Sequence, residues 1–431
     1  MSKPFLPTTK TSYRDGELFF EQVRLTEIAD AVGTPCYVYS AGAFESAYRA
    51  YENAFSKISP LICYSVKANS NLSVLSLFAK LGAGFDVVSG GELKRVEKAG
   101  GDIKKTVFSG VGKSADEIKL AIEKGILFFN VESPQELEVI NEIATGLGAK
   151  APISLRVNPN IDPKTHPYIS TGFKKSKFGM NADEAEKTYE RAASMKGIEI
   201  RGIDAHIGSQ IFEISSFTDS LEKLLALVGK LEKKKIKIGR VDMGGGLGVR
   251  YDAGDSPPPF EKFAGAVEKL MAGSKLELVI EPGRSLAANA GLLLTRAMYV
   301  KRGSEKKFIV VDAAMNDLVR PAFYGSHHEI VPAKMTAGNK TEKTDIVGPV
   351  CESGDFFATD RDFPLVDAGE LLAVMSAGAY CFTMSSNYNT RARAAEVLVK
   401  GGEFRVIRER ESFENMLKGE TVADFGTDGR E

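Results

Sequence analysis

Between residues 61 and 286, short apolar or β-branched runs alternate with longer amphipathic stretches, which restricts this part of the chain to a succession of β/α units. The runs near 61 to 66, 84 to 88, 106 to 109, 127 to 131, 153 to 157, 201 to 206, 239 to 243 and 278 to 281 read as strands. Eight strands predict a closed (β/α)8 barrel of the TIM type. The intervening helices are well signalled. Ser114-Ala115-Asp116-Glu117 and Ser133-Pro134-Gln135-Glu136 read as capping boxes, the second with proline at the first helical position. Gly82 and Gly125 read as left-handed helix ends. Pro257-Pro258-Pro259 marks a stiff loop before a helix starting near Phe260. No repeat at solenoid spacing interrupts the pattern.

After about residue 290 the alternation gives way to strand-rich segments without regular helices, at Phe308 to Ala313, Asp345 to Val350, Leu371 to Ala377, Val397 to Val399 and Phe404 to Ile407. This reads as a β domain, a sandwich or β-barrel. Residues 1 to about 40, with Cys36-Tyr37-Val38-Tyr39, can add strands to it. The expected division is a barrel over 41–285 and a β domain made of 1–40 plus 286–431, and 431 residues are enough for both.

The 56 basic and 57 acidic residues leave no electrostatic footprint for nucleic acid or an anionic membrane. The four cysteines, at 36, 63, 351 and 381, show no Cys-x-x-Cys spacing and are too sparse to staple the chain. They read as reduced thiols, and no metal site is expected. Met1-Ser2-Lys3-Pro4 opens without the apolar core of a signal peptide, and no run approaches the ~18 to 20 apolar residues of a membrane span. A cytoplasmic protein is expected.

The C-terminal ends of the barrel strands are where active sites are built, and here strand after strand ends in polar residues: Lys67, Asp86 with Ser89, Ser109, Glu132, Arg156 with Asn158, His206, Gly244 to Gly246, and Glu281 with Arg284. Polar residues also simply start loops, which accounts adequately for Asp86 and Ser109. Alone, Lys67 would be a snorkelling surface lysine. At a strand end before Ala68-Asn69 it reads as a Schiff-base lysine, its pKa expected to be lowered by burial beside a second positive centre. The Gly-rich turn at 244 to 248 lets backbone N–H groups converge on an anion, and on the seventh strand it falls where barrels commonly hold phosphate. His206 offers a flat ring and Ser209 a hydroxyl for the phosphate, with a buried structural histidine as the competing reading. Glu281 can hold a pyridine nitrogen protonated, and Arg284 can fork a carboxylate or form a local salt bridge. An aldehyde, a phosphate and a basic ring nitrogen are together the features of pyridoxal phosphate. In the β domain, Cys351 can transfer a proton or be a buried apolar thiol, and Tyr380 is open between packing and donation to a ligand.

These motifs resemble the fold-type III pyridoxal phosphate decarboxylases over nearly the whole chain. The likeness rests on YSVKAN (64–69), GFDVVSGGEL (84–93), THPYISTG (165–172), KFG (177–179), HIGSQ (206–210), GGGLG (244–248), EPGR (281–284), DLVRPAFY (317–324), GPVCESGD (348–355), GAY (378–380) and SSNYN (385–389). The resemblance implies a homodimer with shared active sites. In it Lys67 would carry pyridoxal 5'-phosphate and His206 would stack on the ring. Ser209, Gly245, Gly246 and Tyr380 would hold the phosphate, beside Pro282, Gly283 and Arg284, and Glu281 would bind the ring nitrogen. Arg284, Arg320 and Tyr324 would grip the substrate's distal carboxylate, near Tyr380, while Glu352 would take its distal ammonium. Cys351, supplied with Glu352 by the partner chain, would be the proton donor. The implied reaction is decarboxylation of meso-2,6-diaminopimelate to L-lysine and carbon dioxide.

Ala314, where glycine is expected, and Cys381-Phe382, where a smaller residue is usual after the tyrosine, depart from the pattern and bear on packing only. An ornithine-type substrate would leave Arg284 and Arg320 facing a cation. A racemase-like enzyme would put arginine, not Glu281, against the ring nitrogen. A non-catalytic carrier of the cofactor would have no use for Cys351-Glu352.

Overall fold

The computed structural model describes residues 5–8, 10–162, 177–335 and 340–425. The eight expected strands are Leu61–Ser65, Gly84–Val87, Thr106–Phe108, Phe128–Val131, Ala151–Arg156, Ile198–Asp204, Arg240–Asp242 and Glu277–Ile280. They lie parallel in chain order and close into one barrel, the eighth pairing with the first through Val279 to Leu61 and Ile280 to Ile62. Period-two alternation divides each strand between two apolar layers. Ile62, Tyr64, Phe85 and Phe129 join the large core under the helices, while Cys63, Val107, Phe128 and Val279 form a separate cluster within the barrel wall.

The helix signals are mostly realised. Ser114 and Glu117 make a reciprocal capping box, and that helix ends on Gly125 in the left-handed region at φ 68° and ψ 52°. The second box is only half formed. Ser133 accepts from the Glu136 N–H, but the Glu136 carboxylate turns instead to the Glu132 N–H and to Lys113, each at 2.7 Å. A buried ammonium outcompetes the N-cap amide for that carboxylate. The helix after the proline run is Phe260–Met271, as expected. The motif at 165–172 lies outside the described residues.

A second sheet is built around Gly291–Arg302, a 12-residue strand that pairs with Cys36–Ser40, Lys307–Val311 and Leu371–Val374, while Thr11–Arg14, Glu17–Phe20 and Val23–Arg24 form a small sheet of their own. Cys36–Ser40 in turn pairs with Ala395–Lys400, so the N-terminal segment sits in the middle of the β domain. Gly291–Arg302 carries no strand signal in the sequence. Its Leu292, Leu293 and Leu294 are all buried, and a strand covered on both faces carries no alternation to read. The region expected to lack helices also holds two short ones, Arg320–Tyr324 and Phe413–Leu417. Among the described residues no helix is long and apolar enough to cross a membrane.

The two sheets meet at the mouth of the barrel. The Asn69 amide donates to the Gly378 carbonyl at 3.2 Å, the Tyr380 N–H donates to the Ala68 carbonyl at 2.8 Å, and the Asn71 amide reaches the buried Glu396 at 2.9 Å. The residues just after Lys67 therefore fasten the β domain over the strand ends.

Candidate active site

Lys67 sits on the single turn Val66–Ala68 that follows the first strand. Its ammonium pairs with the Asp86 carboxylate at the end of the second strand and lies 3.4 Å from Ser65 Oγ. Ser65 Oγ is itself 2.8 Å from Asp86 Oδ2 and 2.9 Å from the Glu281 carbonyl. Burial pulls the Lys67 pKa down, but Asp86, Tyr380 and Glu281 outweigh it and hold the amine above the ordinary lysine range. The expected second positive centre is absent among the described neighbours, and a carboxylate stands in its place. Burial would raise the Asp86 carboxyl, yet Lys67 and the hydroxyls of Ser65 and Ser109 hold it below the usual carboxylate range. Asp86, read from sequence as a loop-starting residue, is wholly buried against the key lysine.

Three carboxyls lie together at the ends of the sixth, seventh and eighth strands. Oxygens of Asp204, Asp242 and Glu281 all fall within 4.8 Å of one another. Arg156 offers them one cation, 3.9 Å from Asp204, and that guanidinium already serves Glu132 at 2.6 Å. Burial, reinforced by the neighbouring acids, pushes Asp242 up to about 8 and Asp204 and Glu281 well above the carboxylate range. Asp204 Oδ1 and Asp242 Oδ2 are buried without a donor. Such a nest of acids favours a proton-bearing group beside Glu281, and a pyridine nitrogen fits that requirement. Glu281 is also held by the Asn130 amide at 3.2 Å.

His206 Nδ1 accepts the Gly245 N–H at 3.1 Å. Burial, Arg156 and Lys67 push its pKa down to about 3, so the ring is neutral. The glycine turn presses the seventh strand against the eighth, and a Cβ on Gly245 would overlap the Glu281 carbonyl oxygen. Only glycine fits there.

Arg284 is buried beside this turn, donating through Nε to Ser209 Oγ at 3.0 Å and through Nη1 to the Tyr251 hydroxyl at 2.8 Å. Its guanidinium lies 4.9 Å from the Tyr380 ring centre. Arg320 lies 5.2 Å from the Tyr251 ring and 5.7 Å from that of Tyr324, and its Nε and Nη2 reach His328 Nε2 and Ser326 Oγ, each at 3.3 Å. The two arginines thus share Tyr251, which carries no motif in the sequence, as is true of His328 and Asn130. The Pro282 carbonyl accepts the Ser65 N–H at 3.2 Å, and a Cβ on Gly283 would crowd Ser65 and the Tyr380 hydroxyl.

Lys67 and Tyr380 open onto a cavity of about 790 Å³, walled also by Glu92, Arg95 and Arg408. Of the site residues above only Lys67 and Tyr380 line it; His206, Ser209, Glu281, Arg284, Arg320 and Tyr324 do not, and neither do Cys351 and Glu352. Both are exposed, on a turn whose Cys351 N–H donates to Asn389 Oδ1 at 2.9 Å. One chain therefore brings together Lys67, His206, Ser209, the glycines, Glu281, Arg284, Arg320, Tyr324 and Tyr380, and leaves Cys351 and Glu352 facing outward.

The model of the pyridoxal-binding domain of pyridoxal-dependent decarboxylases matches residues 41–288. The chain is 54% identical to the diaminopimelate decarboxylase of Pseudomonas aeruginosa, over 95% of its own length and 98% of the relative's. Among solved structures it is similar to the M. jannaschii diaminopimelate decarboxylase in complex with L-lysine, with a TM-score of 0.92 and 39% identity over 97% of this chain and 99% of that one. The Helicobacter pylori diaminopimelate decarboxylase complexed with L-lysine gives a TM-score of 0.88 and 41% identity, over 91% and 98% of the two chains.

Proposed function

This chain belongs to the diaminopimelate decarboxylase family of pyridoxal-dependent decarboxylases, and from that membership we infer that it removes carbon dioxide from meso-2,6-diaminopimelate to give L-lysine, the step that completes lysine synthesis. The acids and hydroxyls at the barrel mouth fit pyridoxal 5'-phosphate. Lys67 would hold its aldehyde carbon, His206 would lie against its ring, and Glu281 would keep the proton on its nitrogen. Ser209, Gly245, Gly246, Gly283, Arg284 and Tyr380 would surround its phosphate. The chemistry this cofactor supplies when bound is an electron sink for the bonding pair released as carbon dioxide leaves.

The protein contributes position and charge. Asp86 would hold the Lys67 nitrogen at the mouth as an ammonium whenever it is not bonded to the cofactor. Arg320, with Tyr324 and Arg284, receives the distal carboxylate. The distal ammonium and the final proton then fall to the partner subunit's Glu352 and the partner subunit's Cys351, in a cytoplasmic homodimer whose sites are shared. Exposure of both residues on the single chain supports this reading.

The observation that carries the assignment is the pair Arg284 and Arg320 on one tyrosine, beside Lys67 and Tyr380. Two guanidiniums against the Tyr251 ring call for a carboxylate at the far end of the substrate. Sites built around a polar group reject analogues lacking it by roughly 10⁴ to 10⁵. Incubation with meso-diaminopimelate and added cofactor, followed by product analysis, should yield one L-lysine per carbon dioxide and only traces of product from ornithine. Carbon dioxide release from ornithine at a similar rate would refute it.

A further inference from the structure

We propose that Asn389 is a positioning residue for the proton transfer, holding the backbone of Cys351 so that its thiol meets the substrate carbon rather than the cofactor. The proposal rests on Cys351 being the proton donor. Behind the Cys351 turn, the buried Asp355 carboxylate accepts the Val350 and Met315 N–H groups, each at 2.7 Å. In front, the contact to Cys351 itself is its N–H to Asn389 Oδ1 at 2.9 Å. One residue along, the Tyr388 hydroxyl reaches Glu352 Oε2 at 3.4 Å.

The segment that carries Asn389 is strained on purpose. Asn389 and Thr390 are both left-handed, at φ 56° and 53°. Asparagine tolerates that region, whereas a β-branched residue there is a genuine outlier, held only where the surroundings over-determine it. Here the surroundings do so. Arg391 donates to the Asp312 carbonyl at 2.6 Å and to Asn316 Oδ1 at 3.1 Å, and the Ser386 N–H donates to the Asn316 carbonyl at 2.9 Å. Both ends of the loop are fixed to the β domain, and the strained tip turns the Asn389 amide back onto Cys351. On the single chain Tyr388, Asn389 and Thr390 are exposed, as are Cys351 and Glu352.

The chemistry gives a readout that stability does not. After carbon dioxide leaves, the electron pair can take the Cys351 proton at the substrate carbon, giving the amine and a thiolate that is reprotonated from water. If the proton goes to the cofactor carbon instead, water cleaves the resulting imine to an aldehyde and leaves the nitrogen on the cofactor as pyridoxamine phosphate. A misplaced thiol raises the second outcome.

The test uses the holoenzyme. Asn389→Gly keeps the backbone conformation and removes the acceptor, and Asn389→Asp restores an acceptor. In Asn389→Gly, kcat should fall ~10- to 100-fold with KM nearly unchanged, and the share of turnovers ending in pyridoxamine phosphate should rise. Asn389→Asp should recover most of both. Because Cys36, Cys63 and Cys381 are buried, alkylation of the holoenzyme reports on Cys351, and it should be faster in the glycine variant, where the turn is released. An unchanged product partition in Asn389→Gly, or an aspartate variant as defective as the glycine one, overturns the proposal. Cys351→Ala is run alongside: if it leaves the partition unaltered, the donor reading fails and the proposal falls with it. If it alters the partition while Asn389→Gly does not, only the positioning role is lost.

Discussion

His328 shows how a single buried ring sets the behaviour of a buried arginine, Arg320. Its Nδ1 donates to the Met375 carbonyl at 2.8 Å, which leaves Nε2 to accept from Arg320 at 3.3 Å. Protonation would turn that acceptor into a donor facing a guanidinium. Burial and Arg320 push the His328 pKa down to about 3. The folded value lies below the unfolded one of ~6.5, so the stability this ring contributes is complete above pH ~6.5 and is lost as pH falls toward 3. The loss is of order a few kcal/mol. We predict that the urea midpoint drops as pH is lowered from 6.5 to 4, and that this slope is shallower in His328→Gln; an unchanged slope would assign the acid sensitivity to other groups. The Lys67–Asp86 pair teaches a different lesson at the same scale. A lysine closing an apolar run is visible in one window of sequence. Asp86 is not, since nothing local distinguishes it from an acid that merely opens a loop. Only the pairing of the first and second strands, which sets Ser65 beside Asp86, brings it to the amine.

Among the elements, the barrel strands were legible because eight short apolar runs separated by capped helices admit few arrangements, and their polar ends all face one mouth. Gly291–Arg302 was not, because burial on both faces erases the alternation that marks a strand. The short helix Arg320–Tyr324 escaped for another reason. Five residues carry too little periodicity to register, yet they orient Arg320 and Tyr324. The segment Gly378-Ala379-Tyr380 joins the two sheets, and its first residue has no room for a side chain. A Cβ on Gly378 would overlap the Ala287 carbonyl oxygen and crowd the Gly291 nitrogen, both of them backbone. Gly378→Ala should therefore cost on the order of 1–3 kcal/mol or more and loosen the Tyr380 contact with Ala68. Cofactor titration followed by absorbance should show weakened binding in that variant. Wild-type affinity would mean that the phosphate does not depend on Tyr380.

In the whole molecule, the barrel supplies the lysine, the acids and the glycine turn, and the β domain closes over them through Asn69 and Asn71. What one chain leaves facing outward is Cys351 with Glu352, and only the resemblance assigns them to a partner's site, because residues far apart along the chain meet through packing alone. Mixing Lys67→Ala chains with Cys351→Ala chains tests the sharing. Each mixed dimer regains one intact site, so random exchange restores about a quarter of wild-type activity. No recovery after demonstrated subunit exchange would put the donor within its own chain. The most direct test of the account is the bond at its centre. Borohydride reduction of the cofactor-loaded protein, followed by peptide mass mapping, should place the pyridoxyl group on Lys67 and on no other lysine; an adduct elsewhere, or a Lys67→Ala variant that keeps the wild-type absorbance, would contradict it.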